Sequence, residues 1–570
     1  MEQIKNDIFS FKNHLTAFLL IGSFLVGLFN EPAGVLCSIV LTIFLILRWK
    51  EKEISLSLNF TTLAVALISF SFLIVALWAK DKYYALLGFC KFFPLLLFYL
   101  NISTTTDFDS EKALLFIPYS AALMTVISYI FSKIEATAYL FSVDGRIAGF
   151  FQYPNTFALF LILGIVVIAF QKHMHWLYYV LSAVMVFGIF MSGSRTSFVI
   201  FVLTVIALMF LSKNKTLKWI LIGVSVMLVI AAVIIFLFSS TRGALGRFLS
   251  ISVNSGTFNA RILYAKDALK YVLKHPFGIG YMSYYFTQGS FQTGLYSNRF
   301  VHNELLQMMM DIGWIPAIAA LACVVKAFLS KEKPLLMKFL LAIILVHSLL
   351  EFDFQFLTIC FIALICIQQK SSPTVLHFKP ATKKVLFGFV CFLCCLGIYF
   401  GASSAAFLLE KNEAAVKICP HNTMAQIERL NASNDALERK SIAQTILENN
   451  QYIANAYFAL EDYYYREGKI KMFSDYALEN LRCNRFNSEA YVAYASRLIT
   501  AAKHFETAGD INRLKMCTSL LLSLEKTIVY TNKQADPLAK YLPENSTLGL
   551  SQQTRDEINR LNNEYLKAKK

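Results

Sequence analysis

The chain has 570 residues, 56% of them hydrophobic and only 16% charged, and its mean hydropathy is +0.54. A soluble protein carries about 25% charged residues, so the composition excludes an ordinary soluble globule and points to lipid as the main surroundings. The net charge of +16 does not indicate nucleic acid, because the basic residues are spread over short loops between apolar runs and form no continuous basic face.

A helix needs about 20 apolar residues to cross a bilayer. In chain order, the apolar runs predict spans at 15–30, 33–48, 60–78, 84–100, 113–131, 155–170, 174–191, 196–212, 217–238, 302–328, 335–350, 354–369 and 385–407. The expected fold is therefore all-α: a polytopic membrane helix bundle of about thirteen spans, residues 1–407, followed by a soluble domain at 408–570. The first apolar stretch has no small-residue cleavage site, so it reads as a retained span and not as a signal peptide.

Alternate loops hold the basic residues: Lys5 and Lys12; Arg48, Lys50 and Lys52; Lys112; Lys172; Lys213, Lys215 and Lys218; Lys331, Lys333 and Lys338; then Lys370, Lys379, Lys383 and Lys384. The positive-inside rule places those loops and the N-terminus in the cytoplasm. An odd number of spans then puts residues 408–570 on the other side. The same orientation exposes outside the cytoplasm the segment 132–154, the short turn Met191–Thr196 and a long loop, 239–301. A loop beyond about 15 residues usually has a function.

The distinctive polar residues gather in those outer segments. The first carries Asp144-Gly145-Arg146, Gly149-Phe150 and Tyr153-Pro154-Asn155. The turn reads Ser192-Gly193-Ser194-Arg195-Thr196-Ser197. The long loop holds Asn259-Ala260-Arg261, Tyr264 and His275-Pro276-Phe277-Gly278-Ile279-Gly280, and it closes on Val301-His302-Asn303-Glu304. A fourth patch, His347 to Gln355, contains Glu351 and Asp353. Arginine forks pair with diphosphate oxygens and stay charged at any relevant pH. Several of them at a membrane surface suit a lipid-linked diphosphate and its departure as a leaving group without a metal ion. Histidine is the natural base near neutral pH.

Each residue also has a plainer role. A lone interfacial arginine snorkels to headgroups, His302 alone caps a helix, and Glu351 and Asp353 solvate a tight turn. Gly278 and Gly280 mark a turn; no strand–helix unit surrounds them, so nucleotide binding is not implied. Lys91 is different, since a charge inside a span faces the bundle interior or a cavity. The eleven cysteines define neither a disulfide framework nor a metal site: Cys391, Cys394 and Cys395 lie in an apolar run without a nearby His or acid, and Cys419, Cys483 and Cys517 are irregularly spaced.

Taken together and in order, Arg146 with Gly149-Phe150 and Pro154-Asn155, Ser-Gly-Ser-Arg195-Thr, Arg261 with Pro-Phe-Gly-Ile-Gly, and His302-Asn303 resemble the O-antigen ligase and polymerase superfamily over about residues 60–370. The resemblance implies a GT-C-type glycosyltransferase of the bacterial cytoplasmic membrane. Such an enzyme takes a glycan from undecaprenyl diphosphate to a glycan, lipid or protein acceptor, inverts the anomeric centre and needs no metal or other cofactor. By the same resemblance Arg195 and Arg261 bind the diphosphate, with Arg146 a further candidate, and His302 activates the acceptor. Lys91, Asn303, Glu351 and Asp353 are supporting residues. One extra span and the soluble domain depart from the usual ligase plan and leave the acceptor open.

The soluble part shows a weak repeat. Asn455-Ala-Tyr457-Phe recurs as Glu489-Ala-Tyr491-Val, a tetratricopeptide period of 34 apart. An α-solenoid of two to four repeats is expected there, with a plain helical bundle as the alternative; either could hold a partner protein or position a polymer. Two rival functions remain at this point: a polysaccharide transporter or flippase, which calls for polar residues through the membrane depth, and a tethered scaffold whose solenoid does the work.

Overall fold

The computed structural model describes residues 13–51, 55–56, 58–104, 108–211, 256–369, 374–375, 380–544 and 546–568. The predicted span 217–238, the start of the long loop to residue 255, and Lys5, Lys12, Lys52, Lys213, Lys215, Lys218, Lys370 and Lys379 lie outside the described residues. Among the described residues the regular structure is almost wholly helical, with two two-stranded ladders, Ser55–Leu56 with Thr374–Val375 and Ser142–Val143 with Arg146–Ile147. Four helical stretches among the described residues are long and apolar enough to cross a membrane: Glu31–Arg48, Lys82–Thr104, Ser110–Phe131 and Ala381–Leu408. Eight more apolar helices are shorter, at 10–17 residues.

Two predicted spans differ from the structure. The run 15–30 is α-helical only over His14–Ser23 and then turns through a short 3-10 segment, Val26–Leu28, in which Val26, Gly27 and Leu28 all take positive φ. The run 302–328 is two helices, Glu304–Ile312 and Trp314–Leu329, separated at Gly313 with φ 89° and ψ 178°. That backbone breaks the hydrogen-bond ladder, and φ in this region favours glycine.

The chain forms two compact units. The first comprises Met1–Ile74, Leu87–Val253 and His302–Gly401. Its centre is the Pro154–Ala169 helix, buried along nearly its whole length, with Pro154 at its first turn. The helices Phe116–Phe131, Trp176–Ser192, Arg195–Leu211 and Leu335–Ser348 pack around it. A helix apolar on all sides belongs in such an interior position.

The second unit comprises Val75–Leu86, Asn254–Val301 and Ala402–Lys570. The described part of the long loop packs here on C-terminal helices: Ala260, Leu263 and Tyr264 share a core with Tyr296, Ala539 and Leu542, and Arg485 N–H donates to the Gly289 carbonyl at 3.1 Å. Asp81 is buried within this unit and receives Thr423 Oγ1 (2.5 Å), Tyr84 N–H (2.9 Å) and Asn450 Nδ2 (3.0 Å). Burial pushes its carboxyl above the usual range, against those donors. In the C-terminal helices, Tyr457 and Tyr491 sit at matching positions and make matching bonds, donating to the carbonyls of Gln451 and Arg485 respectively at 3.2 and 3.0 Å.

Candidate functional site

The site of the first unit starts from a hairpin. Asp144 and Gly145 both take positive φ, as a tight Asp-Gly turn requires, and the turn pairs Val143 with Arg146. Arg146 is thereby aimed at two acceptors. Its Nε donates to the Ser192 carbonyl at 2.7 Å and its Nη2 to Asn155 Oδ1 at 2.6 Å. Asn155, in the first turn of the central helix, passes the link on: Nδ2 donates to Glu351 Oε1 at 2.8 Å. Tyr153 OH donates to the other carboxylate oxygen at 2.5 Å. Glu351 is fully buried, and a buried carboxylate persists only with such donors around it.

His302 faces this carboxylate. Its Nδ1 lies 3.5 Å from Glu351 Oε2, and its side chain is 18% exposed. Its backbone has φ 58°, an uncommon conformation for a residue with a side chain, of the kind that clusters at functional sites. Its ring meets Phe352 edge-on at 5.2 Å. Asn303 then caps the following helix, accepting from Leu306 N–H at 3.0 Å, and donates to the Leu349 carbonyl at 3.1 Å.

A second network adjoins the first through Asn155. Ser197 Oγ donates to the Asn155 carbonyl at 3.2 Å and lies 2.9 Å from His347 Nε2. His347 Nδ1 is 2.6 Å from Asp353 Oδ2, whose other oxygen accepts from Thr156 Oγ1 at 2.7 Å. The order Ser–His–Asp matches a hydrolytic triad, yet all three side chains are fully buried. These residues lock the 347–355 corner to the central helix; they do not form a nucleophile.

Arg195 opens the Arg195–Leu211 helix between Ser194 and Ser197, which bond to each other at 2.8 Å. It is half-buried and flanks the second network directly in sequence. Lys91 is completely buried and reaches the same corner, donating from Nζ to Gln355 Oε1 at 3.3 Å, with its ammonium 4.8 Å from the centre of the Phe29 ring. Arg146 and Glu351 thus share one hydrogen-bonded assembly through Asn155, with His302 within 3.5 Å of its carboxylate and Asp353 adjoining it, while Arg261 belongs to the second unit, half-buried on the Gly256–Val272 helix.

Tyr153, Asn155, Ser197 and His347 carry these networks, and sequence reasoning gave them no role. Tyr153 and Asn155 flank the proline that starts an apolar helix, and His347 stands six residues before Asp353. Those were the available signals. The Gly278-Ile279-Gly280 segment is a packing turn: Trp78 Nε1 donates to the Gly278 carbonyl at 3.1 Å, and a Cβ at Gly280 would lie 2.7 Å from that of Ala79. All eleven cysteines are free thiols.

A family model for O-antigen ligase matches residues 180–322. This stretch, about a quarter of the chain, holds Arg195, Arg261 and His302 and leaves out Arg146, Glu351, Asp353 and the C-terminal helices. No curated protein matches the chain.

Proposed function

We propose that the chain is a glycosyltransferase of the bacterial cytoplasmic membrane, which moves or polymerises a glycan from an undecaprenyl diphosphate donor onto an acceptor at the outer face. The family match supports a role in glycan ligation in cell-surface polysaccharide synthesis. The single observation that carries the mechanism is His302 standing 3.5 Å from a carboxylate that Tyr153 and Asn155 hold in place.

In this reading Nδ1–H of His302 points to Glu351, and Nε2 keeps the lone pair that takes the acceptor hydroxyl proton. The acceptor oxygen attacks the anomeric carbon opposite the diphosphate. The bond from that carbon to the diphosphate oxygen breaks, undecaprenyl diphosphate leaves, and the configuration inverts. Arg195 and Arg261 bind the diphosphate and offset its charge as it departs, so no metal is called for. Glu351 stabilises the imidazolium formed in the same step. Arg146, with two donors committed to Ser192 and Asn155, positions the carboxylate. Asn303, Asp353 and Lys91 shape the surrounding corner. The N-terminus is cytoplasmic, and residues 408–570 form an extracytoplasmic solenoid that engages a protein partner.

The test is surface glycan transfer by His302→Ala and Arg261→Ala in stably inserted protein. Loss of a general base removes about 10²–10⁴-fold in rate. Unchanged transfer by either variant defeats the proposal. Glycans from a deletion strain separate the two outcomes of the chemistry: shortened chains mean polymerisation, and unattached chains mean ligation.

A further inference from the structure

The Gly256–Val272 helix has two apolar faces. The inner one, with Ala260, Leu263, Tyr264, Ala268 and Val272, is buried in the second unit. The outer one carries Ile262, Leu269 and Leu273, which are 40%, 48% and 58% exposed. At 3.6 residues per turn these three lie within roughly 40° of one another. Beside them, at a spacing of four, run Lys266, Lys270 and Lys274, all exposed. Lys266 already pairs with Asp536, which leaves Lys270 and Lys274 as the outward charges of the row.

Phe277, 66% exposed, extends the apolar row just past the helix. The next residue, Gly278, accepts from the indole of Trp78. Trp78 and its neighbour Leu77 are themselves 45% and 78% exposed, and they follow within three residues of the apolar Phe60–Val75 helix. Tryptophan is the residue of the membrane–water boundary. Scattered exposed apolar side chains need no explanation, but this row is contiguous, edged with lysine and tied to such a tryptophan.

We propose that this face, from Ile262 to Phe277 with Leu77 and Trp78, lies in the bilayer interface and that Lys270 and Lys274 contact anionic lipid headgroups. Leucine and phenylalanine enter the acyl boundary while the ammonium groups stay at headgroup level, the usual division in an in-plane amphipathic helix. The inference is independent of the catalytic reading, since it concerns no residue of that chemistry.

The experiment places the photocrosslinker p-benzoylphenylalanine at Leu273 or Phe277 in the full chain, in nanodiscs of phosphatidylcholine with one quarter phosphatidylglycerol as the order of magnitude of anionic lipid. Phe389, exposed on the Ala381–Leu408 helix, serves as the lipid-facing control, and Tyr530, exposed in the second unit, as the water-facing one. Lipid adducts at positions 273 and 277, at yields near that of 389 and well above 530, are expected. Phosphatidylglycerol should exceed its mole fraction in those adducts by about twofold or more, and Lys270→Glu with Lys274→Glu should abolish the excess. Adducts to a second protein copy, adducts without headgroup preference, or no adduct where Phe389 is labelled would each overturn the proposal.

Discussion

Replacing Glu351 with glutamine keeps the shape of the side chain and removes its charge. At 3.5 Å from His302 Nδ1, the gross attraction between a carboxylate and an imidazolium is about 5 kcal/mol at an effective dielectric of 20. His302 is partly exposed and the Tyr153 and Asn155 bonds persist in weakened form, so a net loss of about 2–3 kcal/mol is expected. That corresponds to roughly 30- to 150-fold in rate. Since the imidazolium exists only once the acceptor proton has moved, the loss belongs in kcat and leaves the donor KM nearly unchanged. Glutamine fills the same volume: its oxygen can face Asn155 Nδ2 while its amide faces Tyr153 OH and His302 Nδ1, where it no longer favours a proton on Nδ1, so the loss of the positioned tautomer is part of the expected effect. Transfer assays on purified Glu351→Gln, with Tyr153→Phe as a milder companion losing about 10-fold or less, decide the matter. A stably folded Glu351→Gln within threefold of wild-type kcat would refute the link between this carboxylate and His302.

Ser197→Ala removes the group that joins His347 Nε2, Ser194 and the Asn155 carbonyl. Stability should fall by about 1–3 kcal/mol, seen as a lower melting temperature, with the rate per folded molecule within threefold. A thousandfold rate loss instead would make Ser197 a nucleophile. Gly289→Ala drives a Cβ into the Cys483 carbonyl, and overpacking of this kind costs about 1–3 kcal/mol. Thermal melts should show the loss for Gly289→Ala and none for Gly388→Ala, where a Cβ meets nothing within 4 Å. Burial first, then the charges of Lys80 and Lys274, hold the His275 imidazole below its usual 6.5. The unfolded chain therefore takes up that proton before the native one does, so native stability falls as pH drops below about 6.5. Hydrogen exchange in the Gly256–Val272 helix should speed up at pH 5.5 relative to 7.5, and His275→Asn should flatten the difference.

The apolar helices were legible because lipid imposes a composition that few other surroundings produce. Their interruptions were less so. A hydropathy window runs straight across Gly313, although the glycine with Pro316 just beyond it was a visible breaker. The Asp144-Gly145 hairpin was readable too, as a turn pair whose two positions both need positive φ. The candidate site divided along chemical lines. Arg146, His302 and Glu351 attracted notice because ionisable groups are rare in such a chain. The residues that join them are neutral. Asn155 and Glu351 are 196 positions apart, and neither an asparagine nor a tyrosine at a helix start announces a distant carboxylate. The grouping of Asn254–Val301 with the C-terminal helices was hidden for a related reason, since it rests on ordinary core contacts such as Tyr264 with Tyr296.

Lys91 shows why one buried cation belongs at this corner. Removing an ammonium from water costs several kcal/mol, and the Gln355 amide oxygen with the faces of Phe29 and Phe92 offsets part of that. Glu304 is buried on the helix that follows His302, and its Oε1 accepts from the Phe354 amide at 2.7 Å. The segments joined by these buried bonds include the ones carrying His302 and Glu351. A pairing made at 3.5 Å between residues on two different segments holds its distance only if those segments cannot slide. Buried polar bonds such as Lys91 to Gln355 and the Phe354 amide to Glu304, costly to leave unmade, are a physical means of preventing that.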